Sequence, residues 1–346
     1  MLAFLRRRWF LAAITLVIVC GVLAGHQGPE ENLTRIKQLI RPSWLTAIVL
    51  FLMSLSLNSE HLLGSLRKPG PMFLSLATNA ILLPLVAWAL LPLQLTPDFQ
   101  IGLIIMASVP CTLCGASVWT RRGGGNDGIS LMVTMITNGA CFLTVPFWIM
   151  LITAQEIEFD RVEMVTKLFY AAMLPVVFGQ LLRLNPRIKQ LADGMTSKLG
   201  TVALVVVLLM VLLAAVQTGH GIKTSETGIS FTAVAIAWIS CIVVHLSGFF
   251  SNMFLGKTLG FHPRDQIASA IAGSQKTLPI AVFVATDASM FGDAGIPSAV
   301  FPMLMFHTSQ FFIDTILADR HREKYMIEEE SAPSDLDEQP LSVCEQ

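Results

Sequence analysis

Long stretches of this chain contain no Lys, Arg, Asp or Glu. In the first half these are Trp9–Ala24, Leu45–Leu57, Ala77–Leu93, Ile101–Trp119 and Leu131–Ala154. In the second half they are Val202–Val216, Ile229–Leu255 and Ala294–Ile313, and Ile267–Val284 is interrupted only by Lys276. A helix that crosses a bilayer needs about 20 predominantly apolar residues and must satisfy its backbone polar groups internally. Hydrophobic residues make up 53% of the 346 and charged ones 14%, where a soluble domain carries roughly 25% charged residues. A single giant apolar core would need far more polar surface than this chain owns. The runs therefore predict an all-α membrane protein. A net charge of −1 with no basic domain gives no footprint for nucleic acid.

The runs and their breakers predict ten spans, at about 9–25, 43–59, 72–93, 99–120, 127–153, 165–183, 199–217, 229–254, 265–287 and 294–317. Loops are short and carry Lys68-Pro69-Gly70-Pro71, Gly123-Gly124-Gly125, Asn185-Pro186 and His262-Pro263. Arg6, Arg7 and Arg8 before an apolar stretch also begin a cleaved signal peptide. The stretch is longer than such a peptide uses and more spans follow, so an uncleaved first helix is expected. Placing the N-terminus in the cytoplasm puts sixteen Lys and Arg on that side, among them Arg67, Arg121, Arg122, Arg183, Arg187, Lys257 and Arg320. The other side then holds six: Arg35, Lys37, Arg41, Arg161, Lys167 and Lys223. This bias predicts a multi-pass protein of a cell inner membrane with both termini cytoplasmic. Residues 1–324 form the membrane domain, and the acidic segment 325–346, with Glu328, Glu329 and Glu330, reads as a disordered tail.

Ten spans divide into five and five, and an odd number per half inverts the second half relative to the first. The fourth span carries Pro110 and Gly115 in its middle, and the ninth carries Gly273 and Pro279. Each is the fourth helix of its half. Pro and Gly are ordinary in membrane helices, but matched breaks with polar residues at both point to a transporter's binding site. Lys276 lies in the second break. An ammonium at mid-membrane costs roughly 2.5–3.5 kcal/mol on insertion scales, so it lines a cavity or meets a partner unless it snorkels. Three roles stay open: neutralising an anionic substrate, titrating as a proton carrier, or permanently occupying the place of a cation.

Ser274, Gln275 and Thr277 flank Lys276, and Thr112, Ser117 and Thr120 accompany the other break. Their oxygens suit a hard cation or a polar substrate, or hydrogen bonds between helices. In the fifth span Ser130, Thr134 and Asn138 fall on one helical face, with Thr137 beside them. That stripe faces the broken helix or another packed helix. Asn79 is a lone amide five residues before Pro84, and His307 a lone intramembrane histidine. Asn126-Asp127 is placed to cap the fifth helix. Cys111 and Cys114 form a C-x-x-C, which reads as two small buried residues or as a redox or metal pair. No nucleotide-binding loop, HExxH or paired intramembrane aspartates occur in the sequence.

Gly115-Ala116-Ser117, Gly125-Asn126 with Ser130 and Thr134, and Ser274-Gln275-Lys276-Thr277-Leu278-Pro279 resemble the bile acid:sodium symporter family. The last of these, with Lys276 followed by a hydroxyl residue and Leu, is similar to its bacterial branch around solute carrier family 10 member 7. The resemblance implies ten helices with the fourth and ninth crossing at their breaks. It also implies a core domain (helices 3–5 and 8–10) moving against a panel (helices 1, 2, 6 and 7). In sodium-coupled members two sodium ions sit behind the crossing. Carried over, the candidate sodium ligands are Ser117, Ser130, Thr134 and Gln275, and Asn79 falls where the family has a glutamine. A shared glutamate of that pattern is here Ile271, a serine is Ala116, and an asparagine is Lys276. A carboxylate is lost and an ammonium gained, so a sodium ion's charge is opposed rather than balanced.

The reading that follows is a secondary active transporter of a small organic anion, working by alternating access and coupled to Na+ or H+. It needs no cofactor and no resident metal, and its partners are the lipid bilayer and the substrate. The alternative is a non-transporting membrane regulator that keeps the fold. An intramembrane enzyme is disfavoured because the sequence holds no catalytic constellation.

Overall fold

The structure, a computed structural model, describes residues 9–28, 41–57, 69–153, 161–224, 230–287 and 297–331. Among these there is no strand. In chain order the helices are α1 (Trp9–Gln27), α2 (Pro42–Ser56), α3 (Pro69–Leu93), α4 (Pro97–Ser108), α5 (Gly115–Arg122) and α6 (Asp127–Thr153). They continue with α7 (Val162–Arg183), α8 (Pro186–Thr224), α9 (Phe231–Thr258), α10 (Pro263–Ser274), α11 (Leu278–Thr286) and α12 (Val300–Ser331). Seven spans among the described residues are long and apolar enough to cross a membrane, with α10 and α11 counting as one. Ala13–Gln27 and Pro42–Ser56 are shorter apolar helices. The expected fourth span is cut into α4 and α5. Arg6–Arg8 and residues 332–346 lie outside the described residues. The last helix runs on to Ser331, beyond Tyr325 where the acidic tail was expected to begin; Glu328–Glu330 are good helix formers.

Local chemistry sets the helix ends. Thr96 Oγ1 accepts from Phe99 N, with Pro97 at the first helical position of α4. Ser230 caps α9 through Ala233 N, and His262 Nδ1 caps α10 through Arg264 N ahead of Pro263. α5 ends on the glycine run. Gly124 N bonds Arg121 O and Gly125 N bonds Thr120 O, and Gly124 takes φ +74°, the left-handed residue this helix ending requires. The chain then turns into α6. Asn126 does not cap that helix with its side chain; its backbone N donates to Arg264 O and its amide donates to Asp265 Oδ1 at 3.0 Å. The loop after the first break is thereby tied to the start of α10.

Packing falls into two groups. α8 lies along α1 and α2, and α2 along α7. Small residues bring the first pair close: an added Cβ at Gly25 would meet Val216 O at 2.0 Å, and one at Gly219 would meet Val22 O at 2.1 Å. In the other group α10 is packed among α3, α5, α6 and α9, and α12 lies against α4, α5, α9 and α11. Of the apolar window in the α10–α11 span, 100% is buried, against 33% for α3. Side chains such as Phe73, Trp88, Leu143, Phe147, Phe178 and Phe254 face outward, as expected of a surface solvated by lipid rather than water.

Candidate functional site

The breaks meet. α4 stops at Ser108 because Pro110 cannot donate to the helical ladder, and α5 restarts at Gly115. α10 stops at Ser274, and α11 restarts at Leu278 with Pro279 in its first turn. Between them Thr277 N donates to Pro110 O at 2.9 Å. Thr112 Oγ1 donates to Gln275 Oε1.

Each interruption exposes carbonyls that hydrocarbon cannot solvate, so the protein must supply donors. Asn138 Nδ2 reaches Cys111 O at 2.9 Å, and Thr134 Oγ1 reaches Thr112 O at 3.1 Å. On the second break Asn79 Nδ2 reaches Gln275 O at 2.9 Å and Gln310 Nε2 reaches Lys276 O at 3.1 Å. The polar stripe of α6 thus faces the broken helix. Ser130 sits farther along that face, 2.6 Å from Thr120 Oγ1. Asn138 Oδ1 is buried and has no partner.

Lys276 is fully buried. Its Nζ donates to Asn79 O at 2.7 Å, Val109 O at 2.8 Å and Asn79 Oδ1 at 3.1 Å. Three acceptors take all three N–H bonds, which an ammonium has and a neutral amine lacks. Val109 is the C-terminal cap of α4, the negative end of that half-helix. The availability of Asn79 O follows from the sequence of α3. Pro84 has no N–H for Ala80 O, and Thr78–Leu82 opens into a π turn. Leu83 N then bonds Thr78 O rather than Asn79 O, while Trp148 Nε1 takes Ala80 O at 2.7 Å. The Asn79 carbonyl is left for the lysine.

The nine residues proposed as substrate or ion ligands, Asn79, Ser117, Ser130, Thr134, Asn138, Ser274, Gln275, Lys276 and Thr277, are buried. They do not gather at one point. Asn79, Gln275 and Lys276 share one knot of bonds, Thr134 and Asn138 hold the carbonyls of the first break, and Ser130 pairs with Thr120. Cys111 and Cys114 are both free, turned to Thr134 and to Ser56.

Sequence reasoning missed three residues. Asp314 is fully buried; its Oδ2 accepts from Gln275 Nε2 at 2.6 Å, and its Oδ1 lies 3.0 Å from His245 Nε2. Gln310 binds the Lys276 backbone on both sides. A buried carboxylate from another helix thus reaches Gln275 at the crossing. Asp314 stands one residue beyond the charge-free run ending at Ile313 and escaped attention there. The spacing His307, Gln310, Asp314, which lines one helical face, was the available signal.

Residues 8–323 match the SBF-like CPA transporter family. The chain is 25% identical over 322 residues to the probable chloroplastic sodium/metabolite cotransporter BASS4 of Arabidopsis thaliana, covering 88% of this chain and 71% of that protein. It is 22% identical over 325 residues to sodium/bile acid cotransporter 7 of Gallus gallus, with 90% of each chain covered. It is 24% identical over 261 residues to the uncharacterized sodium-dependent transporter YocS of Bacillus subtilis, covering 73% of this chain and 76% of that one.

Proposed function

We propose that this chain, which belongs to the SBF-like CPA transporter family, is a secondary active transporter of small organic anions. It is a multi-pass membrane protein. In this reading the described helices are the parts of ten spans in two inverted halves of five. α3–α6 and α9–α12 form a core that moves against α1, α2, α7 and α8, with both termini in the cytoplasm. Alternating access then turns on the crossing of α4–α5 with α10–α11.

One observation carries the proposal. The Lys276 ammonium from one break is held by a carbonyl of the other break and by Asn79. Relatives carry sodium in their names; here a tethered cation sits at the crossing, on acceptors other than the carried-over sodium ligands Ser117, Ser130, Thr134 and Gln275. The N-termini of α5 and α11 both begin at the crossing, and helix N-termini favour an anion. The names of the relatives, one a bile acid and one a metabolite cotransporter, fit an organic acid. The unpartnered Asn138 Oδ1 beside the first break is the polar atom offered to an arriving group.

The test is uptake by the full-length protein in proteoliposomes of a radiolabelled mixture of mono- and dicarboxylates, with sodium or proton gradients imposed in turn. Uptake above protein-free vesicles, driven by one gradient, is expected. No uptake under either gradient would refute transport and favour a regulatory role.

A further inference from the structure

We infer that His245 and Asp314 form a proton-binding site that sets the charge of the crossing; its role in coupling rests on the transport reading above. Both ring nitrogens of His245 face oxygen. Nδ1 lies 3.3 Å from Ser274 O, and a carbonyl only accepts. Nε2 lies 3.0 Å from Asp314 Oδ1. Asp314 Oδ2 is already engaged by the Gln275 amide. Satisfying both ring contacts requires a proton on Nδ1 and a second proton between Nε2 and Oδ1. The pair therefore holds one proton more than a neutral imidazole beside an ionised carboxylate, and its net charge is zero.

The charge balance gives this proton a consequence. Lys276 contributes one positive charge in the same knot, joined to the pair through Gln275. With the pair protonated, the crossing is cationic and matches a monovalent anion. With the proton released, the pair is anionic, cancels Lys276, and leaves one His245 contact without its hydrogen. Anion and proton therefore favour each other's binding, as a symporter requires. The site also touches both breaks. His245 holds the terminal carbonyl of α10, and Asp314 reaches Thr112 through Gln275.

Lys276 follows α10, His307 lies two turns earlier on α12 with Nδ1 on the Gln310 amide at 2.8 Å, Cys111 lies in the first break, and Cys241 is one turn from His245. α3 and α11 bring none. Asp98, Arg121, Arg122, Asp127, Lys257, Arg264 and Asp265 lie at or near the ends of α4, α5, α6, α9 and α10; Cys114 lies in the first break, Cys141 in mid-α6, and Asp319, Arg320, His321, Arg322, Glu323, Lys324 and Tyr325 follow Asp314 along α12. On α8, Arg187, Lys189, Asp193 and Lys198 belong to its first turns and His220 to its last.

The experiment is proton uptake by purified full-length protein in unbuffered detergent solution, followed with a pH dye. On acidification, wild type is expected to take up about one proton per chain that Asp314→Asn lacks. His245→Gln and the double variant should lack the same single proton, because it is shared, while Asp319→Asn keeps it. Wild-type uptake in either single variant, or a further proton lost in the double variant, would overturn the site. Thermal melting and elution profile establish that each variant is folded; if Asp314→Asn is not, His245→Gln decides. In vesicles, carboxylate-mixture uptake by wild type should rise with an inward proton gradient, and that response should vanish in His245→Gln. A gradient response retained by that variant overturns the coupling role. Absence of uptake in wild type would count against transport alone, since the dye titration decides the proton site without it.

Discussion

Replacing Lys276 by Ala tests whether a tethered ammonium has taken a cation's place. The substitution removes three hydrogen bonds from a charged donor, to Asn79 O, Asn79 Oδ1 and Val109 O. Bonds to charged groups are worth about 1.5–3 kcal/mol each. Against this stands the recovered cost of holding an ammonium in hydrocarbon, roughly 2.5–3.5 kcal/mol. The balance is a loss of about 1–6.5 kcal/mol, with three acceptor sites facing an empty space. A small cation entering that space should return part of the loss, about 2.7 kcal/mol at a hundredfold its Kd. The assay is thermal unfolding of full-length protein in detergent with sodium or choline as the only monovalent cation. Wild type should melt at the same temperature in both. Lys276→Ala should melt lower in choline and recover in sodium. A sodium-dependent wild type, or a variant as stable as wild type in choline, would refute the substitution of ammonium for ion.

Asn79→Ala removes one Lys276 acceptor and the donor to Gln275 O, and should cost about 2–3 kcal/mol in the same melt. Gly25→Ala and Gly219→Ala force a Cβ onto backbone oxygens of the facing helix; each should destabilise by about 1–3 kcal/mol, read as a lower melting temperature. The Arg122–Asp319 pair is bidentate at 2.6 Å but about half exposed. Asp319→Asn should therefore cost no more than about 1 kcal/mol and show its effect only at low salt. Lys167 on α7 meets Asp287, just beyond α11, at 2.9 Å. If the core moves against α7, bridging Lys167→Cys and Asp287→Cys with a short bifunctional reagent should arrest vesicle uptake, and a reductant-cleavable reagent should restore it.

The helices were legible because hydrocarbon tolerates so few charges that their absence marks the spans directly. The two breaks were legible because Pro and Gly leave a local mark, and Lys276 because it stands alone among apolar neighbours. The partners of Lys276 were not legible. Which carbonyl a π turn frees depends on how α3 resolves the missing N–H of Pro84, and the sequence shows only the proline. Asp314 and His245 come from helices far apart in the chain, and their meeting is a fact of packing. The family pattern offers Gln275 as a sodium ligand; its neighbours in the structure are Thr112 and Asp314.

The π turn of α3 has a consequence for what changes this chain can accept. Deleting one residue from Thr78–Leu82 would restore the ordinary ladder and turn one end of the helix by about 100° against the other. The Asn79 carbonyl would close onto its own helix, and the buried lysine would lose its best acceptor. Losing the lysine alone would leave the bulge with an unanswered carbonyl in oil. The π turn of the third helix and a basic residue some two hundred positions later thus depend on each other for their bonds.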